Sequence, residues 1–535
     1  MKLKRVIALV MAAGLAGVFA GRAEVMPAAG TVAQIHWLGL KQISADSDAA
    51  HFLSIWNLPE TAAWEAQALE KISRVPWTRF HGADISKPNP ASVLLRPLLD
   101  DVVQAESYAE VRGADNAQPG QMAFAIRLSD ARAQLWQTNL QAALALLTEI
   151  QPVAGKQGWS LKKHESPDLI EFTRAGGWTV LGAATGTNAL FADFVARIGR
   201  DHAPFPKAAA NNPWLSVDAD VAPTLRALSR NWNPPFQLPR FSLTVAGDGR
   251  YVRTLGKVDF ARALDLQMEP WHLPTNLVCQ PVQSFTAVRG IAPWLASQKA
   301  WNDLQIGPPP NEWFSESISG FWSPTFVAAW MPDASNRVSQ IASQLVDRGT
   351  PWLATNGMGR FHRAAQFNGV TWGNVPFVAP DLRVASGTDD DFIVGEMFPT
   401  GTSTNHPQEM FKAILGQPNL VYYNWELTGP CLQAQLRTTQ LFRMFFHKPQ
   451  LSGSSPGLKW FVAAVSKLFE TVTTVEEISP TQFSLNRRSD IGLTAFELHV
   501  LADWIESPVF PAGLYTFTAP PPQQVPAALP PSPAR

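Results

Sequence analysis

The sequence predicts an α+β fold of two tandem related units, each a largely antiparallel sheet with packed amphipathic helices. Three observations lead there. Short apolar runs recur, each followed by a turn carrying Pro, Asp or Gly and then by apolar residues at helical spacing. Several of these runs are joined by turns too short for a parallel crossover, which makes neighbours antiparallel. The order of elements read from residue 52 can also be read again from residue 284.

The first pass runs as follows. Phe52 to Trp56 reads as a strand that enters a helix at Pro59, where a missing N–H costs no hydrogen bond, with Trp64, Ala68 and Ile72 on one face. A strand from Met122 to Leu128 is followed by Ser129 or Asp130 as N-cap, and Trp136, Leu140, Leu144 and Leu147 then fall on one helical face. Three strands follow, near 159–161, 169–173 and 178–183, separated by Ser166-Pro167-Asp168 and Ala175-Gly176-Gly177. Thr187 or Asn188 caps a helix carrying Phe191, Phe194, Val195 and Ile198. A strand and helix at 215–217 and 223–228 lead to a hairpin, in which Phe241, Leu243 and Val245 alternate before Gly247-Asp248-Gly249 and the chain returns through Tyr251.

The second pass begins with Phe285 to Val288 and a helix at Ala292-Pro293. Phe326 to Trp330 leads through Pro332-Asp333 to a helix with Val338, Ile341, Ala342 and Leu345 in line. Strands near Phe361, 370–372 and 392–395 precede a helix over 410–415. Leu420 to Tyr423 then enters a helix after Pro430, and Phe483 begins a final hairpin. Pairing Pro59 with Pro293, Asp130 with Asp333, Gly182 with Gly395 and Phe241 with Phe483 gives offsets of 234, 203, 213 and 242 residues, as a duplication with changed loop lengths would. The units are expected at 24–272 and 273–515, with the Pro-bearing stretch 270–283 between them. Residues 516–535, with Pro520-Pro521-Pro522 and Pro530-Pro531, read as an extended or disordered tail.

Residues 1–23 read as a cleavable secretory leader: Lys2, Lys4 and Arg5 precede an apolar stretch from Val6 to Ala20, with cleavage expected after Ala20 or Ala23. The stretch is short for a membrane span, which needs ~20 apolar residues. Removing it leaves 39 basic and 44 acidic residues, a formal charge of −5. That mild acidity, without a basic arm or stripe, argues against nucleic acid as a partner. The expected compartment is periplasmic or extracellular. There Cys279 and Cys431 are able to form one disulfide if their Cα atoms come within ~7 Å, or to stand as two buried thiols.

Catalytic strings fail on context. Gly453-Ser454-Ser455-Pro456-Gly457 matches the serine-hydrolase elbow, but it lies between helices rather than on a strand-to-helix turn. Ser160-Leu161-Lys162-Lys163 matches S-x-x-K but sits in a strand. The ten histidines have no metal-binding spacing, and Asp389-Asp390-Asp391 lacks the spaced oxygen ligands and glycine of a calcium loop. No metal and no cofactor is expected. Twenty tryptophans against five tyrosines is an unusual balance. Trp313, Trp322 and Trp330 crowd one short region with Phe314 and Phe321, the arrangement that either packs a sheet face or lines a groove for sugar rings or acyl chains.

Turns such as Trp56-Asn57-Leu58-Pro59-Glu60, and the strand Gly177-Trp178-Thr179-Val180-Leu181-Gly182 feeding a capped helix, resemble exported bacterial proteins of an uncharacterised domain-of-unknown-function family. The likeness spans most of residues 31–510 on diffuse apolar motifs; it implies a periplasmic or envelope setting, supports the duplicated α+β reading and carries over no catalytic residues. The function expected is a non-catalytic binding or scaffolding module with an aromatic-lined apolar groove for a hydrophobic or glycan ligand, and with an envelope protein partner docking through the tail. The alternative is an envelope hydrolase whose active residues only the fold assembles.

Overall fold

A computed structural model describes residues 30–514 apart from 83–88, 114–119, 156, 163–167, 206–212, 229–236, 279–280, 306, 319–324, 356, 375–378, 388–389, 398–405, 446–452 and 512. The expected leader and tail lie outside the described residues.

The fold is α+β, and all its strand pairings are antiparallel. The first half contributes β1 (Thr31–Trp37), β2 (Ser107–Arg112), β3 (Gln121–Arg127), β4 (Val153–Ala154), β5 (Gly158–Lys162), β6 (Asp168–Ala175), β7 (Trp178–Thr185), β8 (Leu215–Asp220), β9 (Arg240–Asp248) and β10 (Tyr251–Asp259). They pair in the spatial order β4-β5-β6-β7-β3-β2-β1-β8-β9-β10. The second half contributes β11 (Val282–Arg289), β12 (Glu312–Ile318), β13 (Phe326–Trp330), β14 (Arg360–Arg363), β15 (Gly369–Gly373), β16 (Asp381–Ser386), β17 (Asp391–Glu396), β18 (Leu420–Leu427), β19 (Glu470–Ser479) and β20 (Gln482–Ser489). Their order is β14-β15-β16-β17-β13-β12-β11-β18-β19-β20, which repeats that of the first half strand for strand. The halves meet where β10 pairs with β20, with Leu255 opposite Asn486. Both β1 and β11 carry a register shift at their first residues, Thr31/Ala33 and Val282/Ser284, where an extra residue bends the strand.

The helices that shape the molecule are α1 (Ala50–Trp56), α2 (Pro59–His81), α3 (Pro90–Gln104), α4 (Asp130–Thr148), α5 (Ala189–Asp201), α6 (Ala334–Gln344), α7 (Gln408–Leu415), α8 (Thr428–Phe445), α9 (Pro456–Ala464) and α10 (Ala495–Glu506). In each half a helix follows the third strand and another follows the seventh. In the first half they bury opposite faces of the sheet: Trp136 and Leu144 of α4 pack with Phe124 and Ile126, while Phe194 and Ile198 of α5 pack with Ala123 and Ala125. Because β3 is covered on both faces, it reads as an unbroken apolar run rather than an alternation. Gly182 of β7 is needed for this packing, since a Cβ there would stand 2.5 Å from Asn188 Nδ2 and 2.6 Å from the Phe191 ring.

Three expectations are corrected. Phe52 to Trp56 is the helix α1, not a strand; its apolar residues follow one another without alternation, a pattern that also suits a short buried helix. Phe241 and Phe483 are not counterparts: Phe241 lies in β9 and Phe483 in β20, whose counterpart is β10, so the final hairpin begins at Glu470. The stretch after β10 is not a free linker either. Phe260 and Leu264 donate backbone hydrogen bonds to Thr481 and Pro480 at 2.8 Å, and Trp271, Leu273, Leu277 and Val278 enter the apolar core of the second half.

The two halves differ most in their long connections. The first places α1, α2 and α3 between β1 and β2, whereas the second places α8 and α9 between β18 and β19 and adds α10 after β20. These additions meet, so that Ile55 and Trp64 share one core with Leu432, Trp460, Phe461, Leu498 and Ala502.

Candidate functional site

Beside that shared core is a cavity of about 250 Å³. Trp37 of β1, Trp214 just before β8, Leu215 of β8, Val245 of β9 and Val252 of β10 bound it. Phe52, Ile55 and Trp56 come from α1, and Thr61, Trp64, Glu65, Ala68, Leu69 and Ile72 from α2. The second half supplies Trp460 from α9, the turn Ile491-Gly492-Leu493, and Leu498, Leu501, Trp504 and Ile505 from α10. Six of the chain's twenty tryptophans line it.

The local sequence explains how the walls are held. On α2 the residues Thr61, Glu65, Ala68 and Ile72 recur at three- and four-residue spacing, which puts them on one face. Helix α10 starts at a capping box: Glu497 N–H donates to Thr494 Oγ1 (3.2 Å), and Thr494 N–H donates to Glu497 Oε2 (2.9 Å). Helices α2 and α10 are tied by Gln67 Nε2 donating to Glu506 Oε2 (3.2 Å) and by Lys71 Nζ donating to the Ile505 carbonyl; burial pushes the Lys71 ammonium down from its ordinary range.

Four of the indoles are anchored by their N–H groups. Trp37 donates to the Val103 carbonyl (3.0 Å), Trp214 to Asp46 Oδ2 (2.7 Å), Trp460 to Thr61 Oγ1 (2.8 Å) and Trp504 to the Pro511 carbonyl (3.1 Å). Trp64 is 7% exposed, and its Nε1 is buried without a hydrogen-bond partner among the described residues. Among the described residues Glu65 is the one ionisable residue in the lining. Its carboxyl is held above the usual carboxylate range, first by burial and next by the charge of Asp100, against a smaller opposing pull from Arg96.

The residues singled out from sequence lie elsewhere. Trp313 and Trp330 are not brought together: Trp313 stands opposite Ala329 and Trp330 opposite Glu312, so the two rings project from opposite faces of the sheet. Trp313 is 40% exposed. Trp330 stacks flat on His272, with ring centroids 3.8 Å apart. It also borders a shallow polar recess with Asp333, Asp390 and Asp391, where Asp391 accepts from Ser386 Oγ (2.8 Å) and Asp333 from Asn336 Nδ2 (2.7 Å). Trp322, Asp389 and Cys279 lie outside the described residues. Cys431 is a buried free thiol whose Sγ donates to the Gln283 carbonyl at 3.4 Å, and burial pushes it up to about 12. Ser455 caps α9 by accepting from Leu458 N–H (3.3 Å), and its hydroxyl donates to Glu506 Oε1 (2.8 Å). The hydrolase-like string is therefore a helix start. Among the described residues no group of three or more His, Cys, Asp or Glu side chains is placed to hold a metal ion, and no helix is long and apolar enough to cross a membrane.

Comparison with family models, with curated proteins and with solved structures gives no match.

Proposed function

We propose that this chain is an exported, non-catalytic binding protein that holds a small apolar molecule in the tryptophan-lined cavity between its two halves. The observation that carries this reading is the cavity itself. Protein interiors pack to a density of about 0.75, with few voids larger than a water molecule. An empty apolar void costs on the order of 24 cal/mol per Å³, so 250 Å³ closed off from water would forfeit about 6 kcal/mol. That is comparable to the whole stability of many domains. A six-carbon ring occupies a cavity of about 150 Å³, which scales to roughly ten non-hydrogen atoms here. The export reading rests on the sequence of residues 1–23. The matching strand orders and the paired bulges of β1 and β11 support descent of the two halves from one ten-strand unit.

Titration with N-phenyl-1-naphthylamine tests the site. The dye's emission is expected to rise on binding, and Ala68→Phe, which fills the cavity from α2, is expected to abolish the rise while leaving the thermal unfolding midpoint unchanged or higher. Equal dye binding by the wild type and Ala68→Phe, or no binding by the wild type, would overturn the reading.

A further inference from the structure

We infer that the cavity is selective for an organic cation, an ammonium group on an aliphatic or aromatic body of about ten non-hydrogen atoms, with Glu65 as its counter-ion. This deepens the proposed function and rests on it. Among the described residues Glu65 is the only ionisable side chain lining the cavity, and no lysine, arginine or histidine shares the lining. Its carboxylate makes no hydrogen bond or salt bridge among the described residues, although it lies half-buried where a free carboxylate is costly. The charged groups acting on it are Asp100 and Arg96 of α3, and Arg96 is itself ion-paired with Asp100 four residues on. The negative charge at the cavity wall therefore has no dedicated partner within the protein.

The N–H groups of Trp37, Trp214, Trp460 and Trp504 are committed to protein acceptors. What these rings offer a ligand is therefore their π systems, whose faces carry partial negative charge and attract cations, tryptophan most strongly. A carboxylate on the same lining as these rings attracts a weakly hydrated ammonium and repels a carboxylate of the same size. A neutral hydrocarbon gains only from apolar burial.

Three ligands of nearly equal size separate these cases: benzyltrimethylammonium, its neutral isostere neopentylbenzene, and 3-phenylpropanoate. The quaternary ammonium keeps its charge at every pH. Measured by tryptophan fluorescence and by displacement of N-phenyl-1-naphthylamine, the wild type is expected to bind the ammonium at least ~10-fold more tightly than neopentylbenzene, and 3-phenylpropanoate the least. Glu65→Gln is expected to erase that preference while leaving neopentylbenzene affinity unchanged, which also shows that the variant is folded. Equal affinity for the ammonium and its isostere in the wild type, a preference that survives Glu65→Gln, or dye binding that no ammonium displaces would overturn the inference and leave the apolar cavity standing. Failure of the dye and all three ligands to bind would instead remove the proposed function.

Discussion

Thr61 Oγ1 accepts a hydrogen bond from Trp460 Nε1 and donates one to the Ile55 carbonyl, each at 2.8 Å, so one hydroxyl joins the two halves of the chain beside the cavity. Thr61 is buried, and the Trp64 and Trp460 rings lie next to it with centroids 5.1 Å apart. Thr61→Val keeps the shape and removes both bonds, leaving the buried Trp460 N–H without its acceptor, while the Ile55 carbonyl still accepts from Leu58 N–H (3.2 Å). The expected cost is about 1–3 kcal/mol, read as a lower denaturant midpoint in tryptophan fluorescence, with Thr61→Ser losing less.

Arg443 of α8 and Asp503 of α10 form an ion pair buried on both sides, with side chains 1% and 6% exposed. Removing one partner takes away a charge-assisted contact while the other group stays buried. Asp503→Leu is therefore expected to cost about 3–5 kcal/mol, while the double change Arg443→Met with Asp503→Leu should recover most of that loss. Urea unfolding of the single and double variants checks it; equal midpoints for the two would refute the coupling.

Asp381 of β16 stands directly opposite Glu396 of β17, and each has a buried carboxylate oxygen without a hydrogen-bond partner among the described residues. Burial, with Glu396 adding to it, raises the Asp381 carboxyl to about 6. Because the folded value lies above the unfolded one, protonation favours the fold. That contribution is complete below about pH 4 and is lost as pH rises through about 6. Asp381→Asn should therefore stabilise the protein at pH 7 to 8 by no more than about 3 kcal/mol, and the advantage should vanish near pH 4. Thermal unfolding of both proteins across that range would show it.

The Cys431 thiol is sealed in the core beside Leu432 and Ala464, and thiolate formation is suppressed at neutral pH. In a Cys279→Ser background the native protein is expected to leave Cys431 unlabelled by an aromatic disulfide reagent at pH 8, with one thiol released on denaturation. Prompt labelling of the native state would contradict the burial.

Much of the fold was legible because its signals are local. The alternating and continuous apolar runs place β3, β5, β6, β7, β13 and β17 within a residue or two of their observed ends. β12 escaped because its inward face carries Glu312 and Glu316 around Phe314, both carboxylates buried, and this breaks the apolar alternation. The same register puts Trp313 and Trp330 on opposite faces, a parity that depends on which residue pairs with which rather than on nearness in sequence. The cavity left still less trace. Its walls run from Trp37 to Phe510, and α2 and α10, which both line it, meet through contacts more than 430 residues apart in sequence. Trp64 and Ile72 were legible as one face of a helix, but not what that face would meet.

The seam between β10 and β20 has a consequence for how the two halves are free to change. Each half ends in a strand that would be a bare edge if the half stood alone, and Leu255 opposite Asn486 marks the middle of the contact, as in a pair of identical subunits joined across a two-fold axis. Such a pair would have to treat both sides of its axis alike, with two equal covers and two equal cavities. Covalent linkage removes that obligation. One half contributes α1 and α2, the other contributes α9 and α10, and together they line a chamber that a symmetric homodimer would have to build twice.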